Sequence, residues 1–291
     1  MKTLTMFILL SCMARGAASA AEAGLGFPIV DAHTHAEFSG KTDAEGEMPY
    51  TLEEYLKERR EAGVAACVAH ESRASHEFKD LSGQRVIQCG GVDEKVDVRG
   101  LEAGLKAGRY RCLKIYLGYV HRWAYDKAYE PVYRLAERYK VPVVFHTGDT
   151  YDDGALLKYA DPLTIDEVAV AHPKVDFVLG HMGNPWIQSA AEVAYKNKNV
   201  YIEFSALLVG DLRKTESVKV EEYIVKPIRW AFGYVDDPKK FMYGTDWPLV
   251  EMKLYLDACK KAVPPEHWKA VFQENAARVF KLPSEWLTAS P

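Results

Sequence analysis

After residue 27 the chain alternates between two kinds of segment. Short apolar or β-branched runs come first: "PIVDAHTH", "AACVAHE", "RVIQCGGVD", "CLKIYLG", "VPVVFHTG", "VDFVLGHMG", "VYIEFSAL" and "KFMYGTDWP". Longer, charge-rich segments with helical periodicity separate them. The runs are apolar nearly throughout instead of alternating, which suits parallel strands covered by helices. Strict strand–helix alternation leads to right-handed crossovers and to either a closed barrel or an open doubly wound sheet. Eight runs are the number an α/β barrel needs.

Two features favour the barrel over the open sheet. The first strand is followed by "HTHAEF", not by the glycine-rich turn of a dinucleotide-binding sheet. The polar residues also gather at the carboxyl ends of the runs, where barrel active sites lie. The expected fold is therefore α/β, a distorted (β/α)8 barrel in one domain over residues 28–291. In "TLEEYLKERREAG", Leu52, Tyr55, Leu56 and Arg59 share a helix face, Thr51 is the N-cap with Glu54 as its capping-box partner, and Gly63 ends the helix. "DKAYEPVYRLAERYK" and "EEYIVKPIRWAF" read as helices whose internal prolines mark a first turn or a kink. The link "SRASHEFKDLSGQ" is weakly helical at best.

The first run ends in His33 and His35. Residues i and i+2 of a strand share a side, so both imidazoles aim at the barrel mouth, spaced for one metal ion. His146, His181 and Asp246 end three other runs. A single strand-end histidine is usually a hydrogen-bonded structural residue, and an Asp after Gly-Thr is usually a turn residue. Four of the nine histidines in such places make a different case, and point to a metal site.

"DAHTH", "FHTG", "GHMG", "YGTDWP" and the closing "NAARVFKL" resemble the amidohydrolase superfamily, in its amidohydrolase-related branch. That branch includes aminocarboxymuconate-semialdehyde decarboxylase, resorcylate-type decarboxylases and many hydrolases. The resemblance covers nearly all of residues 28–283, with the motifs in the family's order. It implies one divalent ion at the barrel mouth, Zn2+ or sometimes Mn2+. His33, His35, His146 and Asp246 would be its ligands, and Asp246 would also take a proton from the activated water. His181 would act in catalysis or bind a second ion. Lys114 in "CLKIYLGY" would be a carboxylated bridge between two ions, a substrate contact or a structural ion pair.

Further candidates are weaker. Tyr116, Tyr119, His121, Arg122 and Trp123 follow the fourth run and either recognise a planar or anionic substrate or pack as a surface loop. His70, Glu71 and Arg73 follow the second run, without the H-E-x-x-H spacing. Asp149 either orients His146 or caps a turn. Trp186 and Trp247 read as packing residues beside the site.

The reading that follows is a metal-dependent hydrolase of a small molecule, in which activated water attacks an amide, ester or lactone carbonyl. The alternative on the same ligands is a non-oxidative decarboxylase. There Lys114 or Arg122 would reach into the pocket to meet a carboxylate, whereas a neutral pocket suits a lactone or amide. A non-catalytic metal-binding barrel is a third class, disfavoured by the presence of both His181 and Asp246. A net charge of -4 with mixed signs and no long basic run excludes a nucleic-acid partner.

The first residues, "MKTLTMFILLSCMARGAASA", have the layout of a signal peptide over residues 1–20, ending in Ala18-Ser19-Ala20. Their apolar core is too short for a transmembrane span. Export is the expectation; lipidation at Cys12 and a cytoplasmic location are the alternatives. Cys67, Cys89 and Cys112 sit in apolar runs and read as small buried hydrophobes, as free thiols would in a reducing compartment.

Overall fold

The computed structural model describes residues 25–44, 46–71 and 80–288. The proposed signal segment and Arg73 lie outside the described residues. Every apolar run contributes a strand: β1 (Ile29–Thr34), β2 (Val64–His70), β3 (Val86–Val92), β4 (Cys112–Tyr116), β5 (Val143–His146), β6 (Phe177–Gly180), β7 (Val200–Glu203) and β8 (Phe241–Met242). They form one eight-stranded sheet in sequence order, with each neighbouring pair parallel. The protein is a single-domain (β/α)8 barrel.

β8 is short, and the chain after it closes the barrel onto β1. Ala32 N donates to Tyr243 O (2.9 Å), Asp246 N to His33 O (2.7 Å), and Thr34 bridges to Trp247. The buried Asp31 carboxylate latches the same seam, accepting from Thr245 N (3.0 Å) and Thr245 Oγ1 (2.6 Å).

The helix Leu52–Ala62 begins where Thr51 Oγ1 accepts from Glu54 N and ends at Gly63, whose φ of 72° suits glycine. Only half of the expected capping box forms. Thr51 N is taken by Pro49 O, and the Glu54 carboxylate accepts from Lys57 Nζ. Pro131 falls in the first turn of the helix Glu130–Tyr139, where its missing N–H costs nothing. Pro227 lies inside a longer helical run, residues 217–235, where its missing N–H falls just after a π-helical segment, Glu221–Val225. Of the link between β2 and β3, the described part holds one short 3-10 turn, Ser82–Gln84.

The core has two layers. Val64, Leu113, Phe145, Phe177 and Ile202 pack outward against helix residues such as Tyr55, Val132, Tyr133 and Ile165. Val30, Ala32, Ala66, Val68, Val144, Val178 and Met242 fill the barrel, closed by Ala276, Val279 and Phe280 of the C-terminal helix. Two residues further along several strands the filling turns polar: His70, Lys114 and Glu203 are all buried there. Strand periodicity places that layer at the carboxyl end of the barrel.

The cysteines correct one expectation. Cys89 and Cys112 are not free thiols; they form a disulfide. Parallel pairing sets them directly opposite on β3 and β4, with Cα atoms 4.3 Å apart and both side chains in the barrel filling. Cys67 and Cys259 are free and buried.

Candidate metal centre

β1 pairs with β2 through a register shift: Asp31 to Thr34 spans three steps where Cys67 to Ala69 spans two. One extra residue in a strand is a β-bulge, which re-aims the side chains beyond it. Ala32 therefore packs in the barrel filling, yet His33, the next residue, also turns to the polar layer. Its ring lies 4.7 Å from that of His181 and 4.1 Å from that of His70.

The hydrogen-bond partners assign each imidazole a tautomer. Burial holds His33 well below its usual range, helped by Lys114 and against the pull of Asp246, so the ring is neutral. Its Nδ1–H donates to Glu203 Oε1 (2.6 Å), leaving a lone pair on Nε2. Burial also keeps His146 neutral, with the charges of His181 and Lys114 adding to it. Its Nε2–H donates to the Asp149 carbonyl (2.7 Å), so Nδ1 accepts from His181 Nε2 (3.0 Å). His181, lowered to about 4 chiefly by burial, then presents its own Nδ1 lone pair. His35 Nδ1 donates to the His70 carbonyl (2.9 Å), which turns its Nε2 inward.

Those three inward nitrogens converge on Asp246. Oδ1 lies 3.3 Å from His33 Nε2 and 3.1 Å from His35 Nε2, and Oδ2 lies 3.8 Å from His181 Nδ1. Burial raises the Asp246 carboxyl, but the imidazoles around it, with His35 as the one that keeps its proton, hold it well below the carboxylate range. Its buried Oδ1 has no partner of good hydrogen-bond geometry, only the ion-pair contact with His35 Nε2. Lone pairs and an unpartnered carboxylate oxygen facing one another require a cation between them. Without a metal ion a proton serves: burial lowers His35, yet Asp246 and Glu37 more than offset it and push it up to about 10. His33, His181 and Asp246 form a buried group able to hold a metal ion, their ligand atoms within 4.8 Å of one another. His181 and Asp246 both sit at positive φ, 59° and 65°, a conformation that costs a non-glycine residue about 1–3 kcal/mol and clusters at functional sites.

The expected residues separate as follows. His33, His35, His181 and Asp246 come together. His146 stands behind His181, because the Asp149 carbonyl holds its far nitrogen; Asp149 orients it through the backbone and not through the carboxylate. Lys114 is fully buried, with Nζ 3.4 Å from His33 Nε2, and burial lowers it to about 8 against the pull of Glu203 and Asp246. Arg122 is outside the site; its guanidinium donates to the Glu94 carbonyl. His70 packs on His33 with Nε2 on the Ala32 carbonyl, and Glu71 accepts from Gly91 N. Trp247 is a buried packing residue among Phe38, Tyr50 and Tyr55. Sequence reasoning passed over Glu203 and Ser205; the available signal was a lone carboxylate inside the apolar run "VYIEFSAL".

Above the centre lies an open cavity of about 580 Å³. Its floor is His33, His35, His146, His181 and Asp246. Tyr116, Tyr119 and Tyr151 line one part of the wall, and Ala206, Leu207, Leu208, Val209 and Leu249 another. Among the described residues no helix is long and apolar enough to cross a membrane.

No curated protein matches the sequence significantly. Solved structures do match in fold. An amidohydrolase from Burkholderia multivorans with bound zinc has a TM-score of 0.63 at 17% identity, covering 88% of this chain and 100% of that one. A 5-carboxyvanillate decarboxylase from Novosphingobium aromaticivorans with bound manganese has a TM-score of 0.63 at 12% identity, covering 89% and 98%. A probable 2-pyrone-4,6-dicarboxylic acid hydrolase from Acinetobacter baumannii has a TM-score of 0.58 at 15% identity, covering 87% and 99%. The family described as amidohydrolase matches residues 30–282, nearly the whole barrel, and this chain belongs to that family.

Proposed function

We propose that the protein is a metal-dependent hydrolase of small, largely apolar esters, lactones or amides. The lining of the cavity carries this reading. Neither Lys114 nor Arg122, the two cations weighed for a substrate carboxylate, lines the cavity: Lys114 is fully buried with Nζ 3.4 Å from His33 Nε2, and Arg122 is tied to the Glu94 carbonyl. Among the described residues the cavity wall is tyrosine, alanine, valine and leucine with Asp149 and Asn184, above a histidine–aspartate floor, and holds no lysine or arginine. A neutral acyl compound fits such a wall better than a carboxylate does, since a buried carboxylate needs a cationic partner.

His33, His181 and Asp246 would hold the ion, with His35 beside Asp246 as a fourth ligand. Nitrogen and carboxylate donors suit Zn2+, with Mn2+ as the alternative. When bound, such an ion polarises a carbonyl oxygen and lets water ionise near neutral pH. Asp246 Oδ2 is placed to take a proton from water. His146 Nδ1, accepting from His181 Nε2 (3.0 Å), would hold the His181 ring with its Nδ1 toward the ion. Tyr119 and Tyr151 bound the substrate's body.

The test is a matched panel on zinc-loaded protein: neutral aryl esters and lactones, and the corresponding aryl carboxylic acids. Hydrolysis without carbon dioxide release is the expected result. Carbon dioxide release from the acids, with no hydrolysis of the esters or lactones, establishes the decarboxylase instead.

A further inference from the structure

Glu203 stands at the end of β7, fully buried behind His33. Its Oε1 accepts from His33 Nδ1 (2.6 Å), His181 N (2.9 Å) and Ser205 Oγ (3.1 Å). Its Oε2 accepts from Ser205 N (2.8 Å). Two glycines leave room for it. A Cβ on Gly180 would lie 3.1 Å from Oε1, and one on Gly244 would lie 2.7 Å from Oε2 and 2.9 Å from the His33 Cβ. Side chains from neighbouring strands thus give way to one carboxylate that does not itself line the cavity but holds two residues that do.

We infer that Glu203, assisted by Ser205, is a positioning residue that decides which nitrogen of His33 faces the metal and anchors the backbone turn that carries His181. The inference rests on the metal-site reading above. An imidazole binds a metal through a nitrogen that carries no proton, and the partner of its other nitrogen selects the tautomer. Glu203 Oε1 is an acceptor at Nδ1 of His33. Lys114 Nζ offers N–H at Nε2 (3.4 Å). Both contacts select the Nδ1–H form, whose Nε2 lone pair points at Asp246. The same Oε1 takes the backbone N–H of His181, in the turn where that residue adopts positive φ. Ser205 Oγ lies 2.9 Å from His181 Nδ1 and 3.1 Å from Glu203 Oε1, so its hydroxyl can turn from the imidazole to the carboxylate and release the nitrogen for an ion.

Two measurements on the full chain test this. Long-range proton–nitrogen NMR of metal-free, 15N-histidine-labelled protein should show His33 in the Nδ1–H form; the Nε2–H form overturns the inference whether or not any metal binds. Zn2+ titration should then show binding weakened about 10–100-fold in Glu203→Gln, the usual effect of losing such a partner, and less in Ser205→Ala. Circular dichroism serves as the check on folding. Unchanged affinity in folded Glu203→Gln overturns the inference. Wild-type protein that binds no Zn2+ but shows the Nδ1–H form defeats the metal reading and leaves the positioning role standing. If Glu203→Gln does not fold, the His33 tautomer in the wild type and Zn2+ affinity in Ser205→Ala decide.

Discussion

His33 Nε2 and Asp246 Oδ1 lie 3.3 Å apart with no proton between them. The His33 proton is committed to Glu203 on the other side of the ring. Two buried acceptors at this distance repel unless a cation lies near, and the nearest one the chain supplies to His33 Nε2 is Lys114 Nζ at 3.4 Å. A cation turns that repulsion into binding energy.

The first prediction concerns the ligands. His181→Asn should lose most bound metal, and so should the double variant His33→Ala with His35→Ala. His146→Asn should retain it, because His146 Nδ1 already serves His181. Metal content of purified, zinc-loaded protein checks this. Retention in His181→Asn together with loss in His146→Asn restores the arrangement expected from sequence.

A second prediction tests the room kept for Glu203. Gly244→Ala puts a methyl group 2.7 Å from Glu203 Oε2 and 2.9 Å from the His33 Cβ. Overpacking of this kind costs about 1–3 kcal/mol. Urea unfolding should show that loss, and the variant should also hold Zn2+ more weakly. A variant with wild-type stability and affinity contradicts the packing argument.

Glu58 gives a pH dependence far from the metal. Burial pushes its carboxyl up to about 7, against the hydrogen bond from Met252 N and with the help of Glu251. Between about pH 4.5 and 7 the folded state keeps a proton that the unfolded state has lost, so stability falls as pH rises through that window and is flat above it. The full change is up to about 3 kcal/mol. Glu58→Gln should remove the slope, measured as urea midpoints at about pH 5 and pH 8. An equal slope in the variant assigns the effect to other groups.

The disulfide bears on compartment. We propose that the chain is exported and cleaved after Ala20; the Cys89–Cys112 pair supports this, since such bonds persist in oxidising surroundings. N-terminal sequencing of protein from its native host should begin at Ala21. A start at Met1, or at a lipid-modified Cys12, refutes the proposal. Replacing both cysteines by serine should cost about 3 kcal/mol, from the 23-residue separation that the bond closes.

Much of this molecule is legible in one dimension. Eight continuous apolar runs separated by amphipathic segments can bury both faces only as parallel strands under helices, and the runs became β1 to β8 in order. The Thr51 cap, the Gly63 stop and the first-turn Pro131 act over a few residues, so their chemistry is local and sequence displays it. His33, His35, His181 and Asp246 were legible because strand ends converge in a barrel whatever their separation along the chain.

What remained hidden depends on contacts across the barrel. The bulge that turns His33 beside Ala32 arises from β1 pairing with β2, and no residue in "DAHTH" announces it. The hydrogen bond that turns His146 Nε2 away from Asp246 is to a backbone carbonyl, that of Asp149, which sequence does not distinguish from any other. Cys89 and Cys112 looked like buried hydrophobes until strand register set them opposite. Glu203 sits 170 residues from His33, and a carboxylate's partner at that separation is decided only when β7 and β1 face each other across the folded barrel. Periodicity and capping are properties of the chain; tautomers, register and charge pairing belong to the space the chain encloses.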